Sequence, residues 1–237
     1  MSIIIHRANT RGYADHGWLQ TFHTFSFANY YDPERMGCGA LRVLNDDTVQ
    51  AGEGFGRHGH QDMEIFTIPL SGRLLHKDSL GHSEVIGPNM VQVMSAGKGV
   101  FHSEENASNT EPVSLLQIWI EPKVYGVEPR HETGVFNPAD RRDHIQAIIA
   151  PQREGTKLWL HQDVYISWLD AEQIREYQYS LHGHGHGVYL FQISGRTSFG
   201  KEVLRERDGM WMTEQEAVSF SCELGARLLL IEVPIRV

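Results

Sequence analysis

Two pairs of potential metal ligands stand out in the first half of the sequence. His58 and His60 are separated by one residue, and His102 and Glu104 repeat that spacing further along the chain. Because side chains alternate between the two faces of a β-strand, the members of each pair point the same way if both segments are extended. Two neighbouring strands would then bring together three imidazoles and one carboxylate, a donor set that suits a divalent first-row metal.

Each pair also has an ordinary structural interpretation. A lone His-x-His or His-x-Glu on a strand is more often a surface or core feature than a ligand pair, and we assign most of the 14 histidines to the surface. The presence of both pairs, each after a glycine-rich turn, favours a metal site. Four protein ligands on a six-coordinate ion leave two positions open for an exogenous ligand, whereas closed structural zinc sites more typically use thiolates.

The segments that must position these residues have the pattern of β-strands. Short β-prone runs separated by Gly, Asn, Asp and Pro are typical of an all-β sandwich or barrel. We predict a turn at 45–47 and a short helix near 138–143. Strands are predicted at 40–44, 64–70, 73–76, 91–94, 113–120, 144–149, 157–160, 164–168, 188–193, 217–220 and 227–233.

The composition of the sequence changes between residues 121 and 143, where several Pro and Gly residues interrupt a polar segment. This pattern predicts an inter-domain connection. A chain of 237 residues is long enough for two such units. We therefore predict an N-terminal β domain at 1–130, which carries the metal site, and a C-terminal β domain at 131–237.

Composition restricts the classes of function. The formal net charge of −9 argues against direct binding to nucleic acid or an anionic membrane. No apolar run approaches the roughly 20 residues that a membrane-spanning helix needs, and no signal segment is evident. Cys38 and Cys222 make no disulfide framework, so we expect two buried thiols and a cytoplasmic location.

Several motifs resemble those of the cupins. The spacing of Gly52, His58, His60 and Glu64 is similar to the first cupin motif, although the closing Gly72 comes one residue late. The second motif ends with a histidine and an asparagine in the positions of residues 102 and 106, but its usual Pro-x-Gly is replaced at 87–89. Within the cupins, residues 7–122 resemble the pirin family through the segments 23–27, 31–33, 41–43, 62–64, 94–97, 102–104 and 117–119.

The resemblance implies a bicupin, in which two jelly-roll-type β-barrels lie face to face and the N-terminal barrel holds one metal. The family's ligands fall on His58, His60, His102 and Glu104. Fe(II) is the metal that we expect, with Mn, Ni, Cu and Zn as alternatives. Glu64 is expected to face inward and to have a buried hydrogen-bonding role.

The resemblance also implies an activity. Bacterial pirin-like proteins are associated with quercetin 2,3-dioxygenase activity, the oxidative ring cleavage of a flavonol with loss of carbon monoxide. The small-molecule partners would then be a flavonol and dioxygen. Glu104 would be the catalytic residue, acting both as ligand and as acceptor of the flavonol hydroxyl proton.

Other functions remain open at the level of sequence. Eukaryotic pirins are viewed as iron-dependent cofactors of transcription factors, so a non-enzymatic metal or redox sensor that binds a protein partner is the second hypothesis. A cupin isomerase or an oxalate-type oxidase could use the same ligand set. The sequence does not determine the oligomeric state, and a monomer is the working expectation.

A third histidine-rich segment contains His182, His184 and His186. If it were extended, all three imidazoles would share one face. The alternating glycines raise the entropic cost of assembling a site, and residues 208–220 offer no histidine to complete one. We therefore predict a flexible loop that binds metal only adventitiously. Residues 23–27 are expected to form core or pocket wall near the barrel mouth.

Overall fold

The chain folds almost entirely into antiparallel strands, whose alternating apolar residues face one another across paired sheets. The computed structural model describes residues 2–151 and 155–235, and these residues contain no α-helix. Short 3-10 helices lie at Ala8–Thr10 and Pro138–Arg141, the second in the region where a short helix is predicted. The strands are β1 (Ser2–His6), β2 (Gly12–Asp15), β3 (Leu19–His23), β4 (Leu41–Val49), β5 (Gly54–His60), β6 (Glu64–Ser71), β7 (Leu74–Asp78), β8 (Ser83–Ile86), β9 (Met90–Ser95), β10 (Val100–Asn106), β11 (Val113–Ile120), β12 (Arg130–Val135), β13 (Gln146–Ile149), β14 (Tyr165–Asp170), β15 (Arg175–Ser180), β16 (His186–Ser194), β17 (Arg196–Phe199), β18 (Glu202–Arg205), β19 (Gly209–Thr213), β20 (Ala217–Cys222) and β21 (Arg227–Pro234).

The N-terminal unit is a sandwich of a large and a small sheet. The large sheet has the strand order β12-β9-β6-β11-β4-β3-β2, and the small sheet has the order β5-β10-β7-β8. Buried apolar side chains from both sheets pack between them at one end of the sandwich, among them Leu19, Val49, Leu74, Ile86, Val113 and Leu115. The small sheet carries both predicted ligand pairs.

The C-terminal unit repeats this arrangement. Its six-stranded sheet has the order β1-β19-β16-β21-β14-β13, and its four-stranded sheet has the order β15-β20-β17-β18. The two sheets enclose a separate apolar cluster that includes Tyr177, Leu190, Phe220 and Leu228.

The two large sheets pack against each other and form the largest apolar core. This core joins Leu44 and Ile118 of the N-terminal unit to Ile166, Tyr189 and Leu229 of the C-terminal unit. Each unit is an open two-sheet sandwich rather than a closed barrel. With that difference, the predicted all-β fold of two cupin units placed face to face is confirmed.

Strand pairing crosses between the two halves of the chain. Strand β1 pairs with β19 of the C-terminal sheet, while β12 pairs with β9 of the N-terminal sheet. The buried carboxylate of Asp46 in β4 lies 3.2 Å from Arg11 and 3.1 Å from Arg207, which adds an ionic link between the units. The division at residue 130 stays a prediction.

Two local predictions are wrong. Residues 45–47 continue strand β4 instead of forming a turn, because their polar side chains have partners inside the fold: Asn45 lies 2.9 Å from His23, and Asp46 meets two arginines. Residues 157–160 form no strand; Leu158 and Leu160 are buried in the core, but only one isolated bridge pairs this segment with β13.

No helix in the described part of the chain has the length and apolar character that crossing a membrane requires.

Candidate metal centre

Strands β5 and β10 bring the three predicted histidine ligands together. The two strands are antiparallel neighbours, and His58 lies directly opposite His102 in their register. The ring centroids are 4.4 Å apart for His58 and His102, and 4.8 Å apart for His60 with either of the other two rings. One ring nitrogen of each histidine lies within 4.8 Å of the others, close enough for a single ion to reach all three.

The hydrogen bonding of these imidazoles fits a cation. His102 is only 2% exposed, and neither of its ring nitrogens has a hydrogen-bond partner among the described residues. A buried polar atom without a partner is costly, so an ion that uses the lone pair would remove the penalty. The Nδ1–H of His58 can donate to the Gly56 carbonyl oxygen at 2.8 Å, which leaves Nε2 free to bind a metal.

The electrostatics agree with this geometry. Burial, together with the neighbouring His58, lowers the pKa of His60 to about 4. Burial and the adjacent imidazoles lower the pKa of His102 to about 3. Both rings are therefore neutral near pH 7, the form in which imidazole binds metals.

Glu104 lies beside His102 but is held differently. Its Oε2 accepts a hydrogen bond from Gln117 Nε2 at 2.8 Å, and its nearest grouping of ligand atoms is with His76 and His102 rather than with all three predicted histidines. A shift in register between His102 and Glu104 accompanies this offset. Burial, and then the nearby Asp47, raise the pKa of Glu104 to about 7. Its role as fourth ligand stays a prediction.

A cavity of about 350 Å³ opens onto His58 and His60. Its wall is largely aromatic, and the Trp119 ring packs edge-on against His60 with a centroid distance of 4.9 Å. The cavity is lined by Trp18, Phe27, Asn45, Asp47, Phe55, Gly56, His58, His60, Glu104, Gln117 and Trp119. It has room for a small flat molecule beside His58, His60 and Glu104.

Comparison with known proteins identifies the family. A family model described as Pirin matches residues 5–120, and another described as Quercetinase C-terminal cupin domain matches residues 147–233. The chain is 40% identical to the quercetin 2,3-dioxygenase of Escherichia coli (strain K12), over 98% of this chain and 99% of that relative. The chain belongs to the pirin family.

Solved structures support the same conclusion for this pirin. The crystal structure of YhhW from Escherichia coli has a TM-score of 0.94 and 38% identity, covering 100% of this chain and 99% of that one. A second structure, described as bacterial pirin YhhW in complex with nickel(II), has a TM-score of 0.93 and 38% identity, with both chains fully covered. The predicted resemblance to pirins is therefore confirmed.

Sequence reasoning missed part of the cavity wall of this pirin. Asn45 and Asp47 point into the cavity from β4, where a turn is predicted, and Asp47 Oδ1 is buried without a partner in the described residues. Burial raises the pKa of Asp47 to about 7. Gln117 and Trp119 lie two residues apart on β11 and therefore share one face of the strand. This periodicity, in a segment that resembles pirins, was the signal that could have placed them in the cavity wall.

Glu64 behaves as expected from the sequence. It is buried, its carboxylate accepts a hydrogen bond from Ser95 Oγ at 2.7 Å, and burial raises its pKa to about 7. Phe27 lines the cavity, as expected of a wall residue, whereas His23 and Phe25 are buried nearby.

The histidine-rich segment at 182–186 forms a turn rather than an extended strand. His182 and His186 each place Nδ1 against the buried carboxylate of Glu232, at 2.9 and 2.8 Å, while His184 is exposed. The turn at Gly185, whose φ is +76°, redirects the chain before His186.

Proposed function

We propose that this pirin is a metal-dependent dioxygenase that cleaves the ring of a flavonol such as quercetin. The observation that supports it most is the convergence of three imidazoles beside an aromatic cavity: His58 and His60 line the cavity, and His102 is buried without a partner in the described chain. The named activity of the Escherichia coli relative agrees with this proposal.

We assign the metal to His58, His60, His102 and Glu104. A divalent transition metal, Fe(II) in this proposal and Mn, Ni, Cu or Zn as alternatives, would supply a Lewis acid for the substrate hydroxyl and a centre for reaction with dioxygen. The nickel(II) complex of YhhW supports a metal in this fold but does not choose among these ions.

The cavity wall would position the substrate. Trp18, Phe27 and Trp119 present ring surfaces and edges suited to a flat aromatic molecule, and the volume falls within the usual range of small-molecule sites, about 300–1,000 Å³. Holding the flavonol in this cavity removes most of its water and orders its reactive ring.

Glu104 would accept the proton of the flavonol hydroxyl. The hydrogen bond from Gln117 fixes the orientation of its carboxyl group, and in the metal-free protein burial raises its pKa to about 7. Asp47 offers a second carboxyl group on the same cavity.

We also propose a cytoplasmic location, in keeping with the free, buried thiols of Cys38 and Cys222. A monomer stays the working expectation.

The test is aerobic incubation of the metal-free and the metal-loaded protein with quercetin, following loss of the flavonol absorbance and release of carbon monoxide. We expect loss only with metal and oxygen present. The His102→Ala variant should abolish it, whereas the exposed His16→Ala variant should leave it unchanged. Absence of metal-dependent loss would contradict the dioxygenase proposal and favour a non-enzymatic pirin that acts through a protein partner.

A further inference from the structure

A second group of histidine and carboxylate side chains lies next to the first, on the β7 side of His102. We call it the β7–β12 cluster, and it consists of His76, Asp78, His82 and His131. Ligand atoms of His76, Asp78 and His131 lie within 4.8 Å of one another. None of these residues is among the ligands predicted from the sequence.

The end of β7 fixes the carboxylate of this cluster. Asp78 Oδ1 accepts the backbone N–H groups of Leu80 and His82, at 2.9 and 3.0 Å, which closes the turn after the strand. Its Oδ2 lies 3.1 Å from His76 Nε2 and 2.9 Å from His82 Nδ1. Because Oδ1 accepts hydrogen bonds from the backbone, Oδ2 is directed at the imidazoles. The side chains of Asp78 and His76 are both fully buried.

Strand β12 supplies the third ligand from another part of the chain. The His131 ring stacks on His76 with a centroid distance of 4.5 Å and an interplanar angle of 18°, and it lies 4.8 Å from the His82 ring. His131 Nε2 is buried and has no hydrogen-bond partner in residues 2–151 and 155–235. Leaving such a buried atom unpaired destabilises the folded protein.

Gln92 can fix the correct tautomer of His76. Its side-chain amide lies 3.1 Å from His76 Nδ1, and its Oε1 is buried without a partner among the described residues. A half-turn of this amide would make Oε1 the acceptor for Nδ1–H. The lone pair of Nε2 would then face Asp78 Oδ2 and be available to a cation, an arrangement common around metal-bound histidines.

The charges of the cluster favour a cation. Burial lowers the pKa of both His76 and His131, and the neighbouring imidazoles add to this effect at His131. Burial alone would raise the pKa of Asp78, but in the cation-free protein hydrogen bonds from His76 Nε2–H and from His82 outweigh burial and lower the pKa. A bound cation would take the place of the His76 Nε2 proton. A carboxylate among imidazole nitrogens attracts a positive ion.

We propose that His76, Asp78 and His131, with His82 as the fourth donor, bind a second divalent cation, and that this cation is zinc. Three imidazole nitrogens and one carboxylate oxygen form a donor set that zinc accepts in tetrahedral coordination. The His76 and His102 rings are 5.3 Å apart, so this site would lie directly beside the first centre. It requires none of the four ligands assigned to the first centre.

Zinc binding to the metal-free full-length protein tests the proposal. After exhaustive dialysis against zinc at a fixed free concentration, wild-type protein should hold one zinc ion more than the His131→Ala variant. The His16→Ala variant, which changes an exposed histidine, should hold as much zinc as the wild type. Crystals of the zinc-loaded protein should show an anomalous peak between His76 Nε2 and His131 Nε2.

A second variant distinguishes the loss of a zinc ligand from a loss of folding. The His82 side chain is 45% exposed, so His82→Ala removes a donor without opening a buried cavity. In a His60→Ala background, which disables the first centre, it should weaken zinc binding at the cluster at least tenfold. The proposal is overturned if no anomalous peak lies at the cluster, if folded His131→Ala retains the same zinc content, or if His82→Ala leaves the affinity unchanged.

Discussion

Individual buried carboxyl groups determine the chemistry of the cavity. Glu104 and Asp47 both line it, and burial raises the pKa of each to about 7. At neutral pH each group therefore exists as a mixture of acid and carboxylate. Groups of this kind serve as proton acceptors, and they also make the folded state less stable as the pH rises.

The Glu104→Gln variant should lower kcat on quercetin by about 100-fold or more, because an amide cannot accept the substrate proton. Its metal content should fall much less, because the three histidines remain. Steady-state kinetics and elemental analysis of the same samples measure both quantities. Glu105→Gln changes an exposed neighbour on β10 and should leave both unaltered. If turnover and metal content of Glu104→Gln both match the wild type, the base role is wrong.

The Asp47→Asn variant should be more stable than the metal-free wild type, by an amount that grows with pH. The pKa of Asp47 is about 7 in the folded state, above the usual value of about 4 in an unfolded chain. Ionisation therefore favours unfolding from about pH 4 upward, and the penalty is complete above about pH 7. Asparagine removes this penalty, so we expect a gain of about 1–3 kcal/mol at pH 8 and little at pH 4.

Urea unfolding of metal-free protein at several pH values measures this difference. Asp140→Asn, at an exposed position, is the matched control. A stability difference that does not change with pH would show that Asp47 is not an unfavourable buried charge.

At the scale of structural elements, the loop at 182–186 is organised by β21. The fully buried Glu232 of this strand accepts hydrogen bonds from the Tyr179 hydroxyl at 2.8 Å and from the backbone N–H groups of His182 and Gly183 at 2.8 and 3.0 Å. Burial alone would raise its pKa, but hydrogen bonds from His186 and His182 outweigh burial and lower the pKa to about 2. The carboxylate of Glu232 is thus the common hydrogen-bond partner of His182, Gly183 and His186 in this loop.

The Glu232→Gln variant should reduce the free energy of unfolding by about 2–4 kcal/mol at pH 7, because a neutral amide satisfies these donors poorly. A depressed carboxyl pKa stabilises the fold above the unfolded value of about 4 and loses that effect as the pH falls towards the folded value. The difference from wild type should therefore shrink between about pH 5 and pH 3.

Chemical denaturation across this pH range is the measurement, and Glu216→Gln at an exposed position of the same region is the control. Equal stability of Glu232→Gln and wild type at pH 7 would contradict the role given to Glu232.

At the scale of the whole molecule, the two sandwiches share one core and exchange strands. The large sheets bury Ile118 and Leu229 in the same cluster, and β1 joins the C-terminal sheet although it precedes the N-terminal unit. The backbone at 39–40 runs against the end of β21, where Ala40 N–H donates to the Pro234 carbonyl oxygen at 3.0 Å. Such a shared core favours unfolding as one cooperative unit.

The Gly39→Ala variant should destabilise both units together by about 2–4 kcal/mol. Gly39 has a φ of +56°, and an added Cβ would lie 2.2 Å from the Pro234 carbonyl oxygen. Scanning calorimetry should show one transition moved to lower temperature. Gly81→Ala is the matched control, since its φ is +95° but no atom lies within 4 Å of its added Cβ, and it should cost only about 1 kcal/mol.

Two separate transitions in Gly39→Ala would show that the halves unfold independently. A loss of stability no larger than that of Gly81→Ala would show that the contact with β21 does not constrain Gly39.

What could be predicted from sequence depended on local periodicity. The alternation around Gln117 predicted β11 at the bounds that it has, and the two His-x-His and His-x-Glu pairs were visible because residues two apart share a face of a strand. The motifs resembling pirins extended this local signal to the family and the fold. The C-terminal half of β4 was not predictable in this way, because residues 45–47 are typical turn residues and the partners of Asn45 and Asp46 lie elsewhere in the chain.

The sequence by itself determined the strand-rich class, the charge and the side chains able to bind a metal, since these follow from residue type and spacing. Only the tertiary structure decided which strands are neighbours. It placed His58 opposite His102, turned Asp47 towards Glu104, and stacked His131 of β12 on His76 of β7. The physical reason is that pairing and register between distant segments come from packing of the whole sandwich, whereas periodicity describes one segment at a time.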